Sequence, residues 1–254
     1  MENRISKAAH EILKPDNKIG ILATVDNEGS PHLSFISSLQ SLGDTQIIFG
    51  SKGSCKQYIE ERPDAAFLAL SADMLWLRGS MRFTHYEQAG NLVDAYKDKP
   101  LFYDNSNLQF NRVYFSDLIT IEEIRKLRTA AFFVGAVITR VKAMFTSASE
   151  LNMLTQTEQA LFSEAGSLKF LCWRDNKGLS DIVPIVQALP AGSDRIVFSA
   201  IPYGEDFTYA RKGEKAAVLC LNPEMRGVLV KGRFLSKGVL AIERAYSSNE
   251  YCTS

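Results

Sequence analysis

Four side chains within six residues, Ser51, Lys52, Ser54 and Lys56, bring two hydroxyls and two ammonium groups together around Gly50 and Gly53. That donor set suits an oxyanion such as a phosphate, above all where a turn feeds a helix start. The flanking sequence supplies such a frame. Ile47, Ile48 and Phe49 read as a strand that breaks at Gly50, and Ser54 followed by Gln57 has the spacing of a capping box. Arg62-Pro63 closes the helix, because the residue before a proline is pushed out of the α region. Ala65 to Leu70 is strand-like again. No Gly-Lys-Ser/Thr follows at the P-loop spacing. A capped surface helix carrying ordinary lysines fits the same window, so the rest of the chain has to decide.

The chain has 254 residues, enough for one large domain or two small ones, with 46% hydrophobic and 23% charged residues. Its 29 basic and 29 acidic side chains cancel, which leaves no electrostatic footprint for nucleic acid. The central apolar run, Ala130 to Ile138, is far short of the ~20 residues a bilayer span needs. The first residues, MENRISKAAHEILKPDN, lack the apolar centre of a signal peptide. The four cysteines, Cys55, Cys172, Cys220 and Cys252, show no CxxC spacing, and His10, His32 and His85 are too dispersed to define a metal site. A cytoplasmic protein with no membrane and no nucleic-acid partner is the expectation.

Stepping outward to the elements, Ser6 to Leu13 reads as a short helix and Ile19 to Val25 as a strand. Asp26-Asn27-Glu28-Gly29 is a hairpin turn, and Pro31 to Leu42 is the returning strand. The Ile47 strand, the Ser/Lys turn with its helix, the Ala65 strand and a glycine-bearing strand over 74–83 follow. From Glu87 the period turns helical. Thr120 with Glu123 predicts a helix over 121–128, Ala131 to Phe145 reads as a long closing strand, and Thr155 with Glu158 starts another helix that Gly166 stops. Short strands at regular spacing point to an antiparallel barrel.

The chain then repeats its own pattern. Asp175 to Gly178 restates Asp26 to Gly29, and Ile196-Val197-Phe198 restates Ile47-Ile48-Phe49. Lys215 to Leu219 restates Asp64 to Leu68, Val230-Lys231-Gly232 restates Leu77-Arg78-Gly79, and Ile242-Glu243-Arg244 echoes Ile138-Thr139-Arg140. The expected architecture is mainly β: two tandem split β-barrels with flanking helices, forming an intramolecular pseudo-dimer. The first barrel spans 1–146 with a helical insert at about 87–130, a helical connector spans 147–167, and a degenerate second barrel spans 168–254. In the second copy Ile201, Tyr203 and Glu205 stand opposite Lys52, Ser54 and Lys56, so its cations are lost.

The ordered set of Leu22 to Asp26, Gly29 to His32, Ile48 to Lys56, Arg62 to Phe67 and Leu77-Arg78-Gly79 resembles the FMN-binding split barrel of the pyridoxamine 5′-phosphate oxidase-like family. The resemblance covers residues 15–85 best. It implies FMN as cofactor, with the flavin phosphate held by Ser51, Lys52, Ser54 and Lys56 beside Gly50. The ring would lie along Ser34, Phe35, Ile36 and Ser37, and Arg78 would face an anion in the cleft. The arginine of the founding oxidase's first returning strand is replaced here by Phe35-Ile36-Ser37-Ser38, so pyridoxamine phosphate is not the expected substrate. The leading expectation is an FMN-dependent oxidoreductase acting on a small molecule, with no side chain nominated as acid or base. A non-catalytic flavin, heme or deazaflavin carrier, or a structural pseudo-dimer with an empty cleft, are the alternatives, and pairing of two chains into a homodimer is left open.

Overall fold

The computed structural model describes residues 4–14, 18–50, 55–91, 93–94, 112–127, 129–146, 152–164, 166–174, 180–201, 203, 207 and 210–247. Two antiparallel sheets account for about half of them. The first contains β1 (Lys18–Val25), β2 (Pro31–Phe35), β3 (Gln40–Leu42), β4 (Gln46–Gly50), β5 (Asp64–Ser71), β6 (Leu75–Glu87), β7 (Val113–Ile121) and the short β8 (Arg125–Lys126). The second contains β9 (Leu168–Arg174), β10 (Ser180–Pro184), β11 (Leu189–Pro190), β12 (Arg195–Val197), β13 (Lys215–Leu221), β14 (Gly227–Ser236) and β15 (Val239–Ser247). Four helices accompany them: α1 (Lys7–Leu13), α2 (Cys55–Glu61), α3 (Thr129–Phe145) and α4 (Gln156–Ser163).

The strand orders are β2-β1-β5-β6-β7-β4-β3 and β10-β9-β13-β14-β15-β12-β11. Each path begins and ends on strands that are consecutive in the chain, so each sheet curls round on itself as a split barrel. The corner that joins the two path ends is fixed by backbone bonds. Ile36 N–H donates to the Gly20 carbonyl at 2.8 Å and Leu39 N–H to Ile36 at 3.2 Å. In the second sheet Ile185 donates to Lys169 at 2.7 Å and Ala188 to Ile185 at 2.8 Å, each residue 149 positions later. The helices obey the same spacing. Ser6 caps α1 by accepting from Ala9 N–H, and Thr155 caps α4 in a full capping box with Glu158. The segment read as a connector over 147–167 therefore carries a helix that sits on the second core through Phe162 as α1 sits on the first through Leu13. Each such fully buried side chain contributes about 1.5–3 kcal/mol.

Three expectations are overturned. The strand expected over 31–42 is broken by a turn at Ser37-Ser38, because β2 pairs with β1 and β3 with β4 at opposite ends of the path. The described part of the helix expected over 121–128, residues 121–127, is not helical. β7 runs to Ile121, its Thr120 hydroxyl meets that of Ser80 at 2.7 Å, and ladder pairing with β6 overrides the capping pattern. The expected closing strand over 131–145 is α3, in which the Thr139 hydroxyl bonds back to the Gly135 carbonyl at 2.8 Å. β7 already fills the closing position: Gly79 pairs with Ile121 as Gly232 pairs with Ile242. The Ile242 strand is thus the counterpart of β7, not of 138–140.

Gly232 sits at a register shift and Gly79 one residue before another, and at both the backbone crowds in. A Cβ on Gly79 would lie 2.3 Å from the Thr120 carbonyl oxygen, and one on Gly232 only 1.8 Å from that of Ala241. The chain divides into two compact units, one of residues 1–25 and 34–126 with the last residue, the other of residues 26–33 and 127–253. The hairpin turn after β1 and the helix α3 both belong to the second unit.

Candidate functional site

β4 ends at Gly50, and α2 begins at Cys55. Ser51, Lys52 and Ser54 lie outside the described residues. Lys56 falls on the first turn of α2, but its side chain is also outside them. The helix stops at Glu61 ahead of Arg62-Pro63, as the proline dictates. The Gln57 side-chain amide donates to Glu61 at 3.0 Å, one turn ahead along the helix.

The side of this connection that is described is braced by a residue the sequence did not single out. The Ser38 hydroxyl donates to the Gly50 carbonyl at 2.8 Å and accepts the Gly50 N–H at 3.0 Å. Both main-chain groups of Gly50 are therefore satisfied inside the fold, and this amide is not a free donor for a ligand, contrary to the expectation from the turn. Nothing in a Ser-Ser pair read as strand interior signals such a clasp. It follows only once β2 and β3 separate and the turn between them swings against β4.

Of the stretch expected to line a flavin ring, Ser34 and Phe35 end β2 half-buried, and Ser37 is half-buried in the turn. Ile36 is different. Its side chain is part of the first hydrophobic core, its N–H is given to Gly20 and its carbonyl accepts Leu39. Arg78 is also committed. Its Nε lies 2.9 Å from a Glu122 carboxylate oxygen, and its carbonyl accepts the Glu122 N–H at 2.9 Å. An arginine whose charge is already balanced at close range has little left for an incoming anion.

The second unit carries a buried polar cluster around the Asp26 turn. Asp26 Oδ1 accepts the N–H groups of Glu28 and Ser30, at 2.9 and 2.8 Å, which shapes the turn and lets Gly29 take its positive φ of 73°. Asp26 Oδ2 accepts from the Lys231 ammonium at 2.7 Å, both side chains being buried. Burial alone would raise the Asp26 pKa, but the Lys231 hydrogen bond and the two N–H donors outweigh it and hold the carboxyl below its ordinary value. Burial pushes Lys231 down, against the pull of Asp26. His32, also buried, is depressed to about 3, first by burial and then by the Lys231 charge. The imidazole is neutral at physiological pH. Arg244 reaches Glu28 at 2.7 Å on the exposed side of the same turn. His32 lies in β2 and is buried.

No protein-family model matches the sequence, and no curated protein matches it. Among solved structures, the chain is similar to HupZ of Group A Streptococcus at 17% identity, covering 49% of this chain and 95% of that one with a TM-score of 0.38. It is similar to an FMN-binding protein from Syntrophomonas wolfei at 21% identity, covering 43% and 78% with a TM-score of 0.36. A candidate pyridoxamine 5′-phosphate oxidase from Lactobacillus delbrueckii is similar at 19% identity over 49% and 95%, TM-score 0.36.

Proposed function

We propose that the first barrel binds FMN and that the protein is a flavin-dependent oxidoreductase of the pyridoxamine 5′-phosphate oxidase-like type acting on a small molecule. The two barrels are copies of one unit, of which only the first keeps a cationic turn. The observation that carries the reading is the split-barrel strand order. It sets the Ser/Lys-rich connection between the end of β4 and the start of α2, where the ordered sequence motifs require it. Ser51, Lys52, Ser54 and Lys56 would hold the flavin phosphate, Lys52 and Lys56 by charge and the serines by hydrogen bonds. α2 spans seven residues, so its dipole adds little and the side chains supply the grip.

The donor chemistry fits a dianionic phosphate. Ser38 contributes by fixing Gly50, from which the turn departs, rather than by touching the ligand. Ser34, Phe35 and Ser37 remain as half-buried positions along which a flat ring can lie, while Ile36, Gly50 and Arg78 drop out of the contact set because their groups are used elsewhere. When bound, the flavin would supply hydride or electron transfer, and the protein's part is to bind, orient and shield it.

Exchanging both lysines, Lys52→Glu with Lys56→Glu, reverses the charge facing the phosphate. The double variant is expected to lose FMN by at least a hundredfold in Kd while keeping the parent's denaturation midpoint. Retention of FMN by the folded double variant would move the phosphate site elsewhere.

A further inference from the structure

Next to the place in the second barrel that corresponds to the cationic turn, described side chains bond to one another. Gln187 lies 149 positions after Ser38, and Ser199 the same distance after Gly50. The Gln187 amide donates to the Ser199 carbonyl at 2.8 Å, so a longer side chain repeats half of the Ser38 clasp. Its other end is used as well, because the Tyr203 hydroxyl donates to Gln187 Oε1 at 2.7 Å. Tyr203 stands where barrel one has Ser54.

Behind this pair the aromatic rings are contiguous. Phe207 packs on Tyr203 at 5.4 Å, on Phe198 at 5.3 Å and on Trp173 at 5.2 Å between centroids, the last pair stacked. Trp173 is fully buried, at the position that is Thr24 in barrel one. Thr24 is fully buried too, with its hydroxyl left without a hydrogen-bond partner. Barrel two thus has Trp, Gln and Tyr where barrel one has Thr, Ser and Ser. Every exchange enlarges the side chain, and the two polar ends of Gln187 bond to each other's neighbours instead of facing a cavity.

We propose that Gln187, Tyr203, Trp173 and Phe207 form a plug that seals the second barrel's counterpart of the phosphate turn, so that one chain takes one flavin and not two. The stoichiometry rests on the flavin reading of barrel one, whereas the plug rests on barrel two alone. Close packing of the rings and the mutual pairing of Gln187 with Tyr203 and the Ser199 carbonyl exclude a ligand more thoroughly than loss of cations would, although the buried Trp173 Nε1 has no hydrogen-bond partner.

Two measurements separate these parts. The chain has two tryptophans, so Trp76→Phe leaves Trp173 as the only indole. Its fluorescence is expected to resist acrylamide, with a quenching constant at least fivefold below that of the urea-unfolded chain. Tyr203→Ala in that background raises the constant severalfold, whereas Tyr203→Phe, which keeps the ring, does not. Quenching of Trp173 in the folded Trp76→Phe chain as strong as in the unfolded chain overturns the plug. Titration of the unmodified chain with FMN, followed by flavin fluorescence, is expected to break at one equivalent per chain. A break at two overturns the proposal. An absence of any binding overturns the flavin reading, and the acrylamide measurement still decides the plug.

Discussion

The two barrels share a strand order and corner hydrogen bonds, yet they treat the same positions differently. At the corner, Ser38 holds Gly50 through both main-chain groups, and Gln187 holds only the Ser199 carbonyl while accepting from Tyr203. Before the bulge glycine of the long strand, each barrel buries a cation. Arg78 pairs with Glu122, which follows the adjacent strand and also meets Arg125 at 2.9 Å. Lys231 pairs with Asp26 on the hairpin turn at 2.7 Å, both side chains being buried. The comparison teaches that the framework bonds are made by the backbone and tolerate exchange, while the side chains at the framework's corners are where the copies parted.

The largest effect is expected at the buried pair. Lys231→Met takes the ammonium away from a buried carboxylate, which costs about 3–5 kcal/mol. Arg78→Met leaves Glu122 with Arg125, partly in water, and is expected to cost about 1–2 kcal/mol. Urea denaturation checks both, and equal losses would erase the distinction drawn between the two pairs. Asp26→Asn combined with Lys231→Met is expected to recover part of the larger loss, because no isolated charge then remains.

A smaller, pH-dependent effect comes from His32. Its folded pKa, about 3, lies below the ordinary 6.5, so on acidification the unfolded chain takes up the proton first. The stability from keeping the ring neutral is complete above about pH 6.5 and is lost as pH falls toward 3, with a slope of at most about 1.4 kcal/mol per pH unit. His32→Gln should flatten the denaturation midpoint between pH 6.5 and 5, and an unchanged slope would mean that His32 is protonated in the fold. The smallest effect is at the corners. Ser38→Ala removes both bonds to Gly50 and is expected to cost about 1 kcal/mol, against about 2 kcal/mol for Gln187→Ala, which removes two bonds and a larger buried side chain. A larger loss at Ser38 would make the first corner the more tightly built.

Much of the framework was legible in the sequence for local reasons. Asp26 to Gly29 reads as a turn because the aspartate oxygen reaches the next N–H groups and glycine takes positive φ. Thr155 with Glu158 reads as a helix start because the box closes within three residues. The hydrophobic runs that begin at Ile47 and at Ile196, 149 residues apart, open on strands β4 and β12, which hold matching places in the two strand orders. Where the reading failed, a distant partner decided. Thr120 and Glu123 have the letters of a helix cap, but β6 offers the segment a ladder, and ladder bonds are satisfied over a whole strand at once. The β-branched residues between 131 and 145 have the letters of a strand, but β7 already occupies the closing place, and what remains coils as α3.

The cationic letters at 51–56, their absence from the second copy, and the order of strands around them are properties of the sequence itself, because they depend on residue type and short-range spacing. That Ser38 grips Gly50, that Arg78 is consumed by Glu122, that Asp26 meets Lys231 and that Tyr203 stops the second barrel are decided by tertiary structure alone. In each case the two groups lie too far apart along the chain for any local preference to join them, and only the folded chain brings an acceptor within hydrogen-bonding reach of its donor.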